Sequence, residues 1–294
     1  MINEQQLASW ASIGASTTPR DTYRSVLAAL EAWPDLSAVT PDIFLQGSYC
    51  NDTNVHGDSD VDVVVRNPGV WGYDISALSA NDVGVFNAAL SATQYTAWDI
   101  RSTVRAALVN YYGASAVTDG KKCLKVTAQS GRMALDVVPA LTYRRFSSPW
   151  TSVDGIDFVD STSGRQIINY PKQHSANGSA KNADQRTGGM YKHVIRIIKN
   201  ARTALYDAAK LQRGSAPSYF VECLLYNVPE DAFRKSTYRD AFVAVLVHLH
   251  SLTDYELASF TCQNGLVSLF GLTPEQWTVL QARALINALI LEYF

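Results

Sequence analysis

Three aspartates carry the first chemical signal in this chain. Asp60 and Asp62 stand one residue apart in "SDVDVVV", and Asp136 lies in "MALDVVPA", each set against an apolar run. In a strand, side chains alternate faces, so Asp60 and Asp62 project together, about 7 Å apart along the backbone. Val61, Val63 and Val65 point the other way, into a core. A carboxylate among buried apolar residues is costly unless something satisfies it. Three of them on neighbouring strands repel, and a divalent cation relieves that repulsion. The donors in the motif are hard carboxylate oxygens, which suit Mg2+, with Mn2+ also compatible. Asp58 reads as a turn residue outside this set.

Eleven residues separate the pair from Gly47-Ser48. Glycine lets a phosphate approach the backbone, and a serine hydroxyl with nearby N–H groups can bind it. Phosphate donors followed by a metal-binding pair are the two halves of a nucleoside-triphosphate site.

The elements that must position these groups are legible from periodicity. "DIFLQGS" and "DVDVVV" read as strands, and residues 84–112 read as helical. "KCLKVTA" and "MALDVVPA" pair across the turn "QSGR", and a second hairpin turns at "STSGR". From about residue 185 the pattern is helical. "MYKHVIRIIKNARTALYDAA" has an apolar face, "PSYFVECLLYNV" and "STYRDAFVAVLVHLHSL" read as buried helices, and a capping box at Thr273 and Gln276 opens the last one. The fold class expected is α+β. Residues 1–170 form a small mixed sheet with helices, residues 171–294 a helical lobe, and the site is expected in the cleft between them.

Bulk properties exclude other classes. The 294 residues are 47% hydrophobic and 18% charged with a net charge of −2, which argues against a stable nucleic-acid partner bound over the whole surface. No apolar run approaches a bilayer span, and the first residues are unlike a signal peptide, so no membrane partner is expected. Four cysteines without a CxxC pair read as isolated thiols in a reducing, cytoplasmic setting.

The combination of "GSYCNDTNV…SDVDVVV", "LDVVPA", "NYPKQHSANGSAKN", "YKHVIRIIKNAR" and "PSYFVECLLYNVP" resembles the bacterial cGAS/DncV-like nucleotidyltransferases (CD-NTases), within the DNA polymerase β-like superfamily. In detail it is similar to their E-type, CdnE-like clade. The resemblance implies template-independent joining of ribonucleoside triphosphates, ATP and/or UTP, into a cyclic di- or oligonucleotide with release of pyrophosphate. It also implies a separate effector protein activated by that product in antiphage signalling. All three acids of the pattern are present. Asp60 and Asp62 are expected to hold the metal that grips the donor triphosphate, and Asp136 to help hold a second ion in a two-metal displacement.

Between Arg165 and Arg213 the chain holds ten Lys and Arg against two acids. Lys192, Arg196 and Lys199 fall at i, i+4 and i+7, a basic stripe that is either a solvated helix face or a phosphate contact. The resemblance assigns Lys199 and Ser218 to the triphosphate, with Lys192 a further candidate and Arg196 structural or solvated. Tyr219 either stacks on a base or belongs to the core. Asn169 either reads a pyrimidine edge, since an amide both donates and accepts, or bonds backbone at a strand end. His174 reads as loop structure, and His248 and His250 as core or edge residues. Two rivals remain: a nucleotidyltransferase that modifies an RNA, protein or small-molecule acceptor, and a non-catalytic nucleotide-binding module, which the intact acids disfavour.

Overall fold

The alternation in "DVDVVV" is the alternation the backbone adopts. The computed structural model describes residues 2–13, 17–37, 39–55 and 60–294, so Asp58 lies outside the described residues. The chain divides into two units. One comprises Ala15–Gly47 and Ser59–Lys172, the other Met1–Gly14, Ser48–Asp58 and Gln173–Phe294.

The first unit is built on seven strands: β1 (Asp42–Gln46), β2 (Asp60–Asp74), β3 (Val117–Asp119), β4 (Leu124–Val126), β5 (Ala134–Ser148), β6 (Thr151–Val159) and β7 (Gln166–Asn169). Their order is β1-β2-β5-β4-β3, and β6 pairs with β5 and β7. β2 and β5 run parallel, and the other pairings are antiparallel. A parallel pair needs a crossover, which the helix Ala97–Tyr112 helps to supply. Both faces of this central pair are apolar beyond the aspartates. Val61, Val63, Val65, Leu135 and Val137 are buried on one face, where the helices Thr17–Glu31 and Ala97–Tyr112 pack on the sheet. Val64, Val138 and Ala140 gather with Cys123, Ile156 and Phe158 on the other. Sheets covered on both faces read as near-continuous apolar runs, as "VVV" and "VVPAL" do.

Residues 84–112, expected as one helical run, are two helices. Ala80–Ala88 is anchored by buried Phe86, and Ala97–Tyr112 begins at its own capping box between Thr96 and Asp99. The box fixes a start that the apolar periodicity runs straight across.

In the second unit the helices Met190–Asp207, Ser218–Tyr226, Tyr238–Ser251 and Val279–Tyr293 enclose a core that includes Tyr191, Ile195, Phe220, Leu224, Phe242 and Ile286. The N-terminal helix Glu4–Ala11, expected with the sheet, belongs here. Leu7 and Ala11 are buried in this core, and Glu4 accepts the N–H groups of Tyr238 and Arg239.

The last helix also starts later than its sequence suggests. Thr273 and Gln276 do bond as a capping pair, but the helix opens at Thr278 and Gln281. Trp277 is the reason: its N–H donates to Leu269 and its carbonyl accepts from Gly271, which holds that residue extended. No helix among the described residues is long and apolar enough to cross a membrane.

Candidate active site

The pleat and the register bring the acids together. Asp62 of β2 faces Asp136 of β5 in the parallel register, with Asp60 opposite Ala134. Paired residues on adjacent strands sit about 4.8 Å apart and project to the same side. All three aspartates therefore crown one face, partly exposed at the edge of an apolar layer. β1 reaches the same place from the other side, because Gln46 pairs with Asp62 and Gly47 follows it. Gly47 has φ +69°, and a Cβ there would lie 2.1 Å from Oδ2 of Asp62. Glycine is needed at this turn to seat the aspartate, a demand independent of any phosphate.

Asp136 is engaged by a cation from its other neighbour. Lys125 of β4 pairs with it in register, and its ammonium donates to Oδ1 at 3.0 Å and Oδ2 at 3.2 Å. The hydrogen bond to Asp136 is the main reason the Lys125 ammonium holds its proton more tightly than usual; the charges of Asp136 and Asp60 add to it against partial burial. Cys123, two residues earlier, sits on the same side. Burial first, and then the Asp136 charge and hydrogen bond, push its thiol up to about 12, so it stays protonated and inert near neutral pH. Among the described residues no three His, Cys, Asp or Glu side chains already converge tightly enough to chelate an ion. The donor set nonetheless fits a hard divalent cation: carboxylates only, on one face of adjacent strands, one of them already bound to a positive charge.

In the helical unit the basic stripe is real but buried. Lys192, Arg196 and Lys199 are 8%, 3% and 0% exposed. Each is spent on the segment that follows Ser48. Lys192 pairs with the Asp52 carboxylate at 2.9 Å, Arg196 donates to the Asp52 carbonyl, and Lys199 donates to the Thr53 carbonyl at 2.7 Å. Asp52 takes φ +53°, a left-handed conformation that Asp tolerates better than most residues. The stripe is therefore not a solvated face: its three side chains clamp residues 52–53.

Sequence reasoning missed the centre of this clamp. Glu222 is 3% exposed, and its carboxylate accepts from Asn51 at 2.9 Å, Thr53 at 2.6 Å and His174 at 2.9 Å, with Lys199 at 4.0 Å. Burial works to raise the Glu222 carboxyl. The His174 hydrogen bond, the charges of His174 and Lys199 and the Thr53 hydroxyl outweigh burial and hold it below the usual range. A lone Glu inside "FVECLL" was the available signal, because a buried carboxylate needs partners. His174, expected in a loop, lies in the helix Pro171–Asn182 as one of those partners.

The remaining expected residues sit as follows. Ser218 is the first residue of its helix and is partly exposed. Tyr219 has protein rings as its stacking partners, His174 at 4.9 Å and Trp277 at 6.0 Å, so in this arrangement it behaves as a packing residue. Asn169 ends β7 and accepts the N–H of Tyr170 with its own Oδ1 at 2.8 Å, the strand-end bond of the alternatives. Ser48 lies in the short helix Gly47–Cys50, and its carbonyl accepts the Thr53 N–H at 2.9 Å.

Comparison with known proteins bears on the whole chain. Residues 176–293 match the family model of the cGAS/DncV-like nucleotidyltransferase C-terminal helical domain. The cyclic UMP-AMP synthase of Rhodothermus marinus is 42% identical over 288 residues, covering 96% of this chain and 94% of that protein. The solved structure of the Rhodothermus marinus CdnE c-UMP-AMP synthase with Apcpp and Upnpp superposes with a TM-score of 0.87 at 40% identity, covering 99% of this chain and 96% of that one. The Elizabethkingia meningoseptica CdnE cyclic dinucleotide synthase, solved with GTP and Apcpp, gives a TM-score of 0.80 at 29% identity, with both chains covered in full.

Proposed function

Because the chain belongs to the cGAS/DncV-like nucleotidyltransferases, an enzyme family, we propose that it joins ribonucleoside triphosphates without a template into a cyclic di- or oligonucleotide, releasing pyrophosphate. The observation that carries this reading is the facing register of Asp62 and Asp136, with Asp60 two residues along the same strand face. ATP and/or UTP are the proposed substrates, consistent with a relative named for a UMP-AMP product. The product would act on a separate effector protein in antiphage signalling, and the enzyme would work in the cytoplasm.

Asp60, Asp62 and Asp136 would hold two divalent cations, Mg2+ or Mn2+. When bound, such ions neutralise charge on the phosphates and lower the pKa of the attacking hydroxyl. The protein's part is positional. The rigid β2–β5 pair fixes the spacing of the carboxylates, and Gly47 leaves room for Asp62. Gly47, Ser48 and Ser218 remain the proposed phosphate contacts. Lys192 and Lys199 contribute through the clamp on residues 52–53, which follow Ser48 in the chain. At Asn169 the amide oxygen is taken by the backbone. Its Nδ2 donor is then the group offered to a base, and it would meet a pyrimidine carbonyl.

The test is incubation with all four ribonucleoside triphosphates and Mg2+ or Mn2+, followed by phosphatase treatment and mass spectrometry. A phosphatase-resistant cyclic oligonucleotide that disappears in Asp62→Asn supports the reading, and its mass names the bases. Triphosphate consumed only when cell lysate supplies an acceptor would replace it with the acceptor-modifying alternative. Undiminished synthesis by Asp62→Asn would remove the aspartates from the mechanism.

A further inference from the structure

Three carboxylates on one sheet face form a site that repels itself before any ion arrives. The fold sets a positive side chain in register with the third acid, on the strand opposite the one that carries Asp62. Lys125 sits opposite Asp136 across the β4–β5 pair, and its ammonium reaches both carboxylate oxygens, at 3.0 and 3.2 Å. Half-exposed lysines also pair with carboxylates at Asp42 and Glu292, away from the three acids, whereas the buried lysines are engaged differently. Lys181, Lys192 and Lys199 are buried and tied to carbonyls or to Asp52. Lys125 keeps half of its side chain in solvent, 49% exposed, on a flexible four-carbon stem. A buried lysine could not leave its partner without stranding a charge, whereas this one can swing into water at little cost.

We propose that Lys125 is the resident counter-cation of Asp136, a positioning residue that holds the third carboxylate in the metal-free enzyme and must be displaced before that carboxylate can ligate an ion. The inference rests on the metal-site reading above. It assigns the ammonium an identity of place rather than of chemistry: it occupies the Asp136 oxygens that a divalent cation would use. Two consequences follow. Metal binding competes with an internal cation, so the site is weaker than three carboxylates alone would make it. The sheet also tolerates its three acids without metal, because one negative charge is already compensated.

The experiment is a Mn2+ titration of the full chain by electron paramagnetic resonance, without nucleotide. It compares the wild type with Lys125→Met, Lys125→Gln, Lys125→Arg and Asp136→Asn, and the double variant Lys125→Met with Asp136→Asn. Removing the ammonium should tighten Mn2+ binding roughly fivefold in both neutral variants, equivalent to about 1 kcal/mol. Lys125→Arg, which keeps the charge, should stay within about twofold of wild type. The gain should vanish when Asp136 is already Asn, because the two changes act on one pair. Unchanged Mn2+ affinity in Lys125→Met and Lys125→Gln would overturn the inference and leave the metal site standing. An equal gain in the Asp136→Asn background would also overturn it, by showing only a general field effect. If the wild type binds no Mn2+ that Asp60→Asn or Asp62→Asn can remove, the metal site itself fails, and the inference with it.

Discussion

Oδ2 of Asp62 lies 2.1 Å from where a Cβ on Gly47 would be, at a turn whose φ is +69°. A side chain at 47 therefore meets two objections, and one of them is the proposed metal ligand itself. Gly47→Ala should cost about 1–2 kcal/mol from the left-handed backbone alone. It should also displace the Asp62 carboxylate. The expected outcome is a modest fall in melting temperature with a much larger fall in turnover and Mn2+ affinity. A variant that loses stability but keeps both would show that Asp62 has room to move.

Glu222 makes a prediction about acid. Its carboxyl titrates below the unfolded value of about 4.3, since His174, Lys199 and Thr53 outweigh burial. The stabilisation it supplies is fully present above that value and is lost as pH falls through the folded-state value. Melting curves from pH 6 to pH 3 should fall more steeply for wild type than for Glu222→Gln. At neutral pH, Glu222→Ala strands buried cationic and polar partners and should cost about 3–5 kcal/mol. Parallel pH profiles for wild type and Glu222→Gln would remove the carboxylate from the acid response.

Lys199 separates a structural cation from a substrate contact. With no exposure and its ammonium on the Thr53 carbonyl, Lys199→Met leaves a buried acceptor unpaired and should cost about 1–3 kcal/mol. That loss should appear in the nucleotide-free melting temperature. A variant with wild-type stability and only a raised KM for triphosphate would instead restore Lys199 as a direct phosphate contact.

At Asn169, serine removes the amide donors and keeps a group able to accept the Tyr170 N–H. Competition among labelled triphosphates should show Asn169→Ser incorporating less pyrimidine relative to purine. An unchanged base preference would reduce Asn169 to its strand-end bond.

Much of the site was legible because it rests on local rules. The period of two in "DVDVVV" places Asp60 and Asp62 on one face whatever the fold does, and a lone Asp in "LDVVPA" asks for a partner. The helical run at 84–112 and the late start at Thr278 show where such rules stop. Apolar spacing cannot see a capping box at Thr96, and Thr273 cannot foresee that Trp277 will be held extended by residues 269 and 271.

The sequence alone determined the identity and strand phase of the three acids, the glycine beside them, and the i, i+4, i+7 spacing of Lys192, Arg196 and Lys199. Those are covalent or single-element facts. Register decided the rest: Asp62 faces Asp136 only through a pairing of strands far apart in the chain, and Asp136 meets Lys125 through the particular register of the β4–β5 hairpin. Burial decided the fate of the basic stripe. A helix pattern gives the angle of a side chain but not what covers it, and here the cover is the segment after Ser48, held by a glutamate 171 residues from Asn51.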